Sequence, residues 1–155
     1  LVGPECKELD GILGYYGEQL MLLAQSLGLN SCWVGGTYKV VNRAYNVDLG
    51  QKLAAVIALG YGITQGVPHR SKAPQAVVPG YDGAPEWFKR GVDAALLAPT
   101  ALNQQKFSFS LDGEVGDVPV VRASTRRGAF AQMDLGIAQC HFEIGAGPAL
   151  YRWAE

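Results

Sequence analysis

Residues 14–36 read GYYGEQLMLLAQSLGLNSCWVGG, and this stretch decides how the chain is built. Tyr16, Leu20, Leu23 and Leu27 recur at helical spacing, and Leu22 and Leu29 widen the apolar arc. The pattern predicts a helix buried on more than one side. Gly28 and Asn30 then supply stop signals, since both tolerate a left-handed backbone. Next comes SCWVGGTY, residues 31–38, a tight segment with two adjacent glycines. Upstream, residues 4–12 (PECKELDGI) are polar and turn-like. Downstream, residues 38–46 are expected to form a short second helix. LAAVIALGYG, residues 53–62, is a continuous apolar run, which predicts a strand covered on both faces.

Beyond that strand the proline density of residues 63–84 (Pro68, Pro74, Pro79) rules out a regular element and predicts a long extended loop. Loops of this length in compact domains usually carry function or wrap something. Pro85 sits where a helix-starting proline belongs. Trp87, Val92, Ala95 and Leu96 then mark one side of an amphipathic helix ended by Pro99. KFSFSL (106–111) alternates as a strand, DGE (112–114) supplies a turn, and VPVVRA (118–123) is the partner strand. Met133, Ile137, His141 and Ile144 mark a last helix ending near Gly145 or Gly147. The order helix, strand, helix, strands, helix implies a single α+β domain over residues 1–155.

The chain has 155 residues, 48% hydrophobic and 17% charged, enough to bury a sizeable core. Thirteen basic against fourteen acidic residues leave a net charge of -1, which argues against a nucleic-acid or membrane-surface partner. No run approaches about 18 uninterrupted apolar residues, so no membrane-spanning helix is expected. Three cysteines, Cys6, Cys32 and Cys140, cannot all pair and form no CxxC, which suits a reduced, cytoplasmic setting. No signal peptide is visible, and the LVG start reads as the end of a buried strand, so an upstream segment is expected to be missing.

Three segments carry chemistry. Arg70 and Lys72 lie two apart in the proline-stiffened PHRSKAP loop, so in extended backbone they face the same way and suit a phosphate. On spacing alone, an ordinary solvated loop outweighs that reading. In SCWVGG, Gly35 and Gly36 let backbone N–H groups approach a flat ligand, with Trp33 able to stack and Cys32 beside it. A helix-to-strand turn with core Trp and Cys is the commoner explanation. In LAPTALNQQ, Asn103, Gln104 and Gln105 match the mixed donor and acceptor edge of a flavin-like ring. Capping and turn chemistry explains them equally well. His69 and His141 lack companions for a metal site, and His141 fits a hydrogen-bonded core histidine. Arg122, Arg126 and Arg127 form a second acid-free patch that suits either dinucleotide phosphates or, more simply, a solvated turn. No hydrolase elbow, P-loop or Rossmann glycine motif occurs.

Together these segments resemble the FMN-dependent nitroreductase family. GEQLMLLAQSLGLNSCWVGG resembles its helix and flavin-facing loop, VIALGYGITQGVPHRSKAP its strand and cationic phosphate loop, and GVDAALLAPTALNQQKFSFSL its helix and amide-bearing segment. GYYGEQL, GVPHRSK, APEWFKRG and DLGIAQCHFEIGAG are most similar to the TM1586-type branch. The amide segment follows the flavin-facing loop here, the rearranged order of that branch. The resemblance implies a nitroreductase-like fold with helices packed on a mostly antiparallel sheet. It also implies bound FMN, NAD(P)H as electron donor, and a nitroaromatic, quinone or similar small-molecule acceptor. Arg70 and Lys72 would hold the phosphate. Cys32, Trp33, Val34, Gly35 and Gly36 would lie along the isoalloxazine, with a backbone N–H near its N5. Asn103 and Gln105 would bond its polar edge. The family's arginine-rich opening segment is absent before Gly14, and branch members carry further chain upstream. The chain would act as a monomer resembling the family dimer, or as a homodimer. A flavin-holding module without turnover, or a domain needing its missing half, is the rival reading.

Overall fold

In the computed structural model, residues 1–39, 41, 44–147 and 151–154 are described. Their order is β1 (Val2–Pro4), α1 (Leu9–Ser26), β2 (Asn30–Val34), β3 (Gln51–Leu53), β4 (Val56–Gly60), α2 (Glu86–Ala95), β5 (Phe107–Val115), β6 (Val118–Thr125), α3 (Ala131–Ala146) and β7 (Arg152–Trp153). The architecture is α+β, as expected. Its strands form three small sheets rather than one: β1–β3 and β2–β4, both antiparallel, and β5–β6–β7, in which β7 joins β6 in parallel.

Helix α3 is the centre. α1 packs along one side and α2 along another, and both approaches depend on glycine. A methyl group on Gly14 would collide with the Met133 carbonyl, and one on Gly136 with that of Gly11. On the other side, Gly91 meets the Phe142 ring and Ala146, and Gly145 meets the Arg90 carbonyl. Against this face of α3 lies an aromatic core. Phe109 of β5 stacks on Phe142 at 4.7 Å, and Phe88, Tyr151 and Trp153 meet the same ring edge-on or tilted. Stacked and edge-on pairs at such spacings add to the burial of apolar area. The long loop feeds this core as well, since Val77 and Val78 are buried and Phe109 N donates to Val77 O at 3.0 Å.

Several expectations are corrected. The predicted core stripe of α1 points outward: Tyr16, Leu20, Leu23 and Leu27 are exposed, and Gly14, Gly17, Glu18, Met21 and Ala24 face inward. Small residues win that face because α3 comes too close for leucine. α1 also begins earlier, at Leu9, because this leucine is buried against Gly3. The run 53–62 is not one strand covered on both faces. It breaks at Ala54–Ala55 into β3 and β4, and Leu59 in the second half is exposed because only β2 pairs with it. The DGE turn lies inside β5 instead, absorbed by an irregularity between Leu111 and Glu114 where Gly113 takes φ +81°. The hairpin turns at Gly116–Asp117. The expected helix over 38–46 includes residues 40, 42 and 43, which lie outside the described residues.

Candidate functional site

β2, the segment after α2 and the start of α3 surround a cleft of about 680 Å³, a volume usual for small-molecule sites. From the β2 side it is lined by Cys32, Trp33, Val34, Gly35 and Gly36, from the second segment by Thr100, Leu102 and Gln104, and from α3 by Phe130, Met133 and Asp134. Five of the nine residues that the resemblance assigned to the cofactor therefore share one cleft with Gln104, and Arg70, Lys72, Asn103 and Gln105 are not among its lining residues. Gly35 is bare because Phe130 leans on it: a Cβ there would lie 2.7 Å from the Phe130 ring. Gly36 opens to free space.

Trp33 is fixed rather than loose. Its indole tip occupies the space above Gly17, where a methyl group would collide with the ring. Its Nε1 donates to Glu18 Oε2 at 3.0 Å, and His141 Nε2 donates to Glu18 Oε1 at 2.8 Å. Glu18 is buried, so α1 provides space at one residue and an acceptor at the next. His141 is the hydrogen-bonded histidine that its place on the apolar stripe suggested.

The amide segment is a strained turn. Among the described residues, four non-glycine residues have positive φ: Leu102 (52°), Asn103 (52°), Gln105 (42°) and Phe130 (59°). Leu102 and Phe130 line the cleft, and Asn103 and Gln105 flank Gln104, which also lines it. Left-handed backbone at such residues costs free energy and persists only when neighbours fix it. Asp134 is one such neighbour, with Oδ1 accepting from Ala101 N at 2.9 Å and Oδ2 from Gln104 Nε2 at 2.6 Å. Burial raises the Asp134 pKa, while those hydrogen bonds and Lys106 oppose the rise. Gln105 is the other. Its Nε2 donates to Arg70 O (2.9 Å) and Asn103 Oδ1 (2.6 Å), and its Oε1 accepts from Lys72 N (2.9 Å).

Asn103, which is exposed, and Gln105, which is buried, thus turn their amides onto the chain itself and tie the 70–72 loop to the turn at 103–105. Asn103 Nδ2 also donates to Arg70 O at 2.9 Å. Lys72 Nζ donates to Gln104 O at 2.9 Å and Gln105 O at 2.7 Å, which leaves one of its three N–H groups and its charge. Arg70 is exposed, and its guanidinium makes no hydrogen bond or ion pair among the described residues. Ser71 Oγ anchors the loop to Leu96 O at 2.8 Å. Sequence reading passed over Glu18, Phe130 and Asp134. The available signal was a lone acid in an apolar helical run, LGYYGEQLMLL for Glu18 and AQMDLGIA for Asp134.

Among the described residues, no helix is long and apolar enough to cross a membrane, and no cluster of metal-ligating side chains occurs. The family model described as "Putative TM nitroreductase" matches residues 1–146. The fold is similar to a crystal structure titled as that of a putative nitroreductase from Thermotoga maritima, with a TM-score of 0.62 at 22% identity. The match covers 88% of this chain and 54% of that one, so this chain spans about half the length of that neighbour. No curated protein matches.

Proposed function

The chain belongs to the TM1586-type nitroreductase family, and on that premise we propose that its cleft holds FMN for an oxidoreductase that uses NAD(P)H as electron donor. The observation that carries this reading is the convergence of the 32–36 bend and the 100–104 turn on one cleft, with the cationic 70–72 loop tied to the end of that turn through Gln105. When bound, FMN would supply the redox chemistry between a nicotinamide donor and a nitroaromatic, quinone or similar acceptor.

The chain's own residues position and bind. Gly36 would present bare backbone to a flat ring, and Gly35 makes room for Phe130. Trp33, locked by Glu18, and Phe130, fixed at the start of α3, set the shape of the ring slot. Arg70, with the remaining donor of Lys72, would meet the phosphate. Asn103 and Gln105 serve the site by holding that loop in place. No side chain is needed as a general acid or base.

The test is a titration of the purified protein with FMN, followed by anaerobic addition of NADH or NADPH. A yellow complex bleached by either nucleotide is expected. A complex that neither nucleotide bleaches would show a flavin-holding module, and a protein indifferent to FMN would remove the reading altogether.

A further inference from the structure

Resting on that reading, we propose that Lys106, Arg126 and Arg127 form a second, separate phosphate-binding rim of the cleft, which takes the phosphates of the nicotinamide dinucleotide. The β5–β6 register sets Phe107 opposite Thr125, and Arg126 N donates to Lys106 O at 3.3 Å, so positions 106 and 126 lie side by side. Lys106 reaches over the following turn, where its Nζ donates to Arg127 O at 3.4 Å. Gly128 makes room for this, since a Cβ there would lie 2.6 Å from that ammonium. The next two residues, Ala129 and Phe130, already line the cleft, and Gln104 Nε2 donates to Ala129 O at 2.9 Å. The basic turn is therefore continuous with the wall of the cleft.

Two of these charges, Arg126 and Arg127, are free in a way that Arg122 is not, whereas Lys106 is held at Arg127 O and also acts on the Asp134 carboxyl. Arg122, on the same strand, pairs with Asp112, its Nε 3.0 Å from Oδ2. Arg126 and Arg127 are exposed, and neither guanidinium has a hydrogen bond or ion pair among the described residues. The nearby acid, Asp134, is buried and has both oxygens engaged by Ala101 and Gln104. Among the described residues the cleft lining contains no lysine or arginine, and the nearest free guanidinium groups along this wall are those of the 126–127 turn. Three like charges beside a cleft concentrate an anionic ligand there. Arginine forks match phosphate oxygens in pairs. The two-cation 70–72 loop suits a single phosphate, and the three-cation rim suits a ligand bearing two or more.

The test uses the full chain, with and without flavin, titrated calorimetrically with NADP+, FMN and riboflavin. Arg126→Gln combined with Arg127→Gln is expected to weaken NADP+ about tenfold, the change that one charge-assisted hydrogen bond carries. FMN and riboflavin affinities should be unchanged, and NADP+ binding to the variant should depend less steeply on salt. Lys106→Met, which keeps the stem over Gly128, should weaken NADP+ in the same direction. Unchanged NADP+ affinity in the double variant would overturn the proposal. So would a loss confined to FMN, which would give the rim to the flavin phosphate instead. If wild type ignores FMN, the flavin reading fails, yet the NADP+ titration without flavin still decides the rim: absent binding, or binding indifferent to the double variant, overturns it.

Discussion

Replacing Gln105 with alanine should loosen the 70–72 loop without unfolding the domain. Gln105 is 2% exposed, and its side chain makes three hydrogen bonds, to Arg70 O, Asn103 Oδ1 and Lys72 N. At about 1 kcal/mol each, their loss costs about 3 kcal/mol. Arg70 is exposed, so water can replace part of that, and about 2 kcal/mol is expected. For a chain of this size that lowers Tm by about 4–8 °C. Backbone strain separates two effects. Gln105 has φ +42°, so Gln105→Gly relieves the left-handed penalty while still losing the amide. The glycine variant should therefore be no less stable than the alanine variant, yet equally loose in the loop. Limited trypsinolysis reads the loop directly, because Arg70 and Lys72 are themselves cleavage sites. Cleavage after both should accelerate in either variant, with cleavage after Arg126 and Arg127 as the unaffected internal reference. FMN affinity should fall with it, and riboflavin affinity should change less. Unchanged cleavage at Arg70 and Lys72 would refute the strap. Gln105→Glu sharpens the point: the shape is kept, but a carboxylate oxygen would face the Arg70 carbonyl, so the loop should loosen again.

Gly136→Ala should destabilise by about 1–3 kcal/mol or more, because the added methyl drives α3 into the Gly11 carbonyl; Gly83→Ala, with nothing within 4 Å, should stay within about 0.5 kcal/mol in the same urea titration. Burial raises the Asp134 pKa, so the folded state holds that proton more tightly than the unfolded chain does. The associated stability is present at low pH and is lost as pH rises through the folded-state value. Unfolding curves between about pH 4 and pH 7 should therefore move in favour of Asp134→Asn relative to wild type as pH increases; a constant difference would contradict this. Cys6 and Cys32 are exposed, whereas Cys140 is buried and its thiol is pushed up to about 11, chiefly by burial and then by Glu18 and Glu143. An aromatic disulfide reagent should label two thiols in the native protein and the third only on unfolding.

What the sequence disclosed follows from which signals are local. The Pro85 helix start and the alternating β5 pattern each depend on a few neighbouring residues, and each is present, whereas the proline-bounded loop contains two short 3-10 turns, Pro74–Ala76 and Tyr81–Gly83, where an extended course was expected. The orientation of α1 was not legible, because it depends on its partner. Tyr16, Leu20, Leu23 and Leu27 form the stronger apolar stripe, yet the helix turns its glycines inward because α3 approaches at Gly14 and Gly136. Close packing of two backbones leaves no trace in a hydrophobic period; it shows only as glycines at positions where a helix would otherwise be better served by alanine. The site divides in the same way. Gly36 was readable as bare backbone facing open space, whereas the Phe130 ring that fills the space above Gly35 was not. That Asn103 and Gln105 would turn their amides onto the Arg70 and Lys72 backbone was not, since the same amides suit a ligand edge equally well.

The buried polar side chains argue for the cleft independently of any motif. Among the described residues, Glu18, Gln105 and Asp134 are the buried polar or charged ones. Burying such groups is unfavourable unless every partner is supplied, and a domain that needed only stability would use apolar residues there. All three serve one place. Glu18 joins α1 to Trp33 and, through His141, to α3. Asp134 joins α3 to the turn at Ala101 and Gln104. Gln105 joins that turn to the 70–72 loop. The strained residues Leu102, Asn103, Gln105 and Phe130 are held by the same set of contacts or lie beside them. Such expense concentrated on one cleft is what preorganisation of a binding site requires, with walls fixed before the ligand arrives so that little of the binding free energy is lost in ordering them.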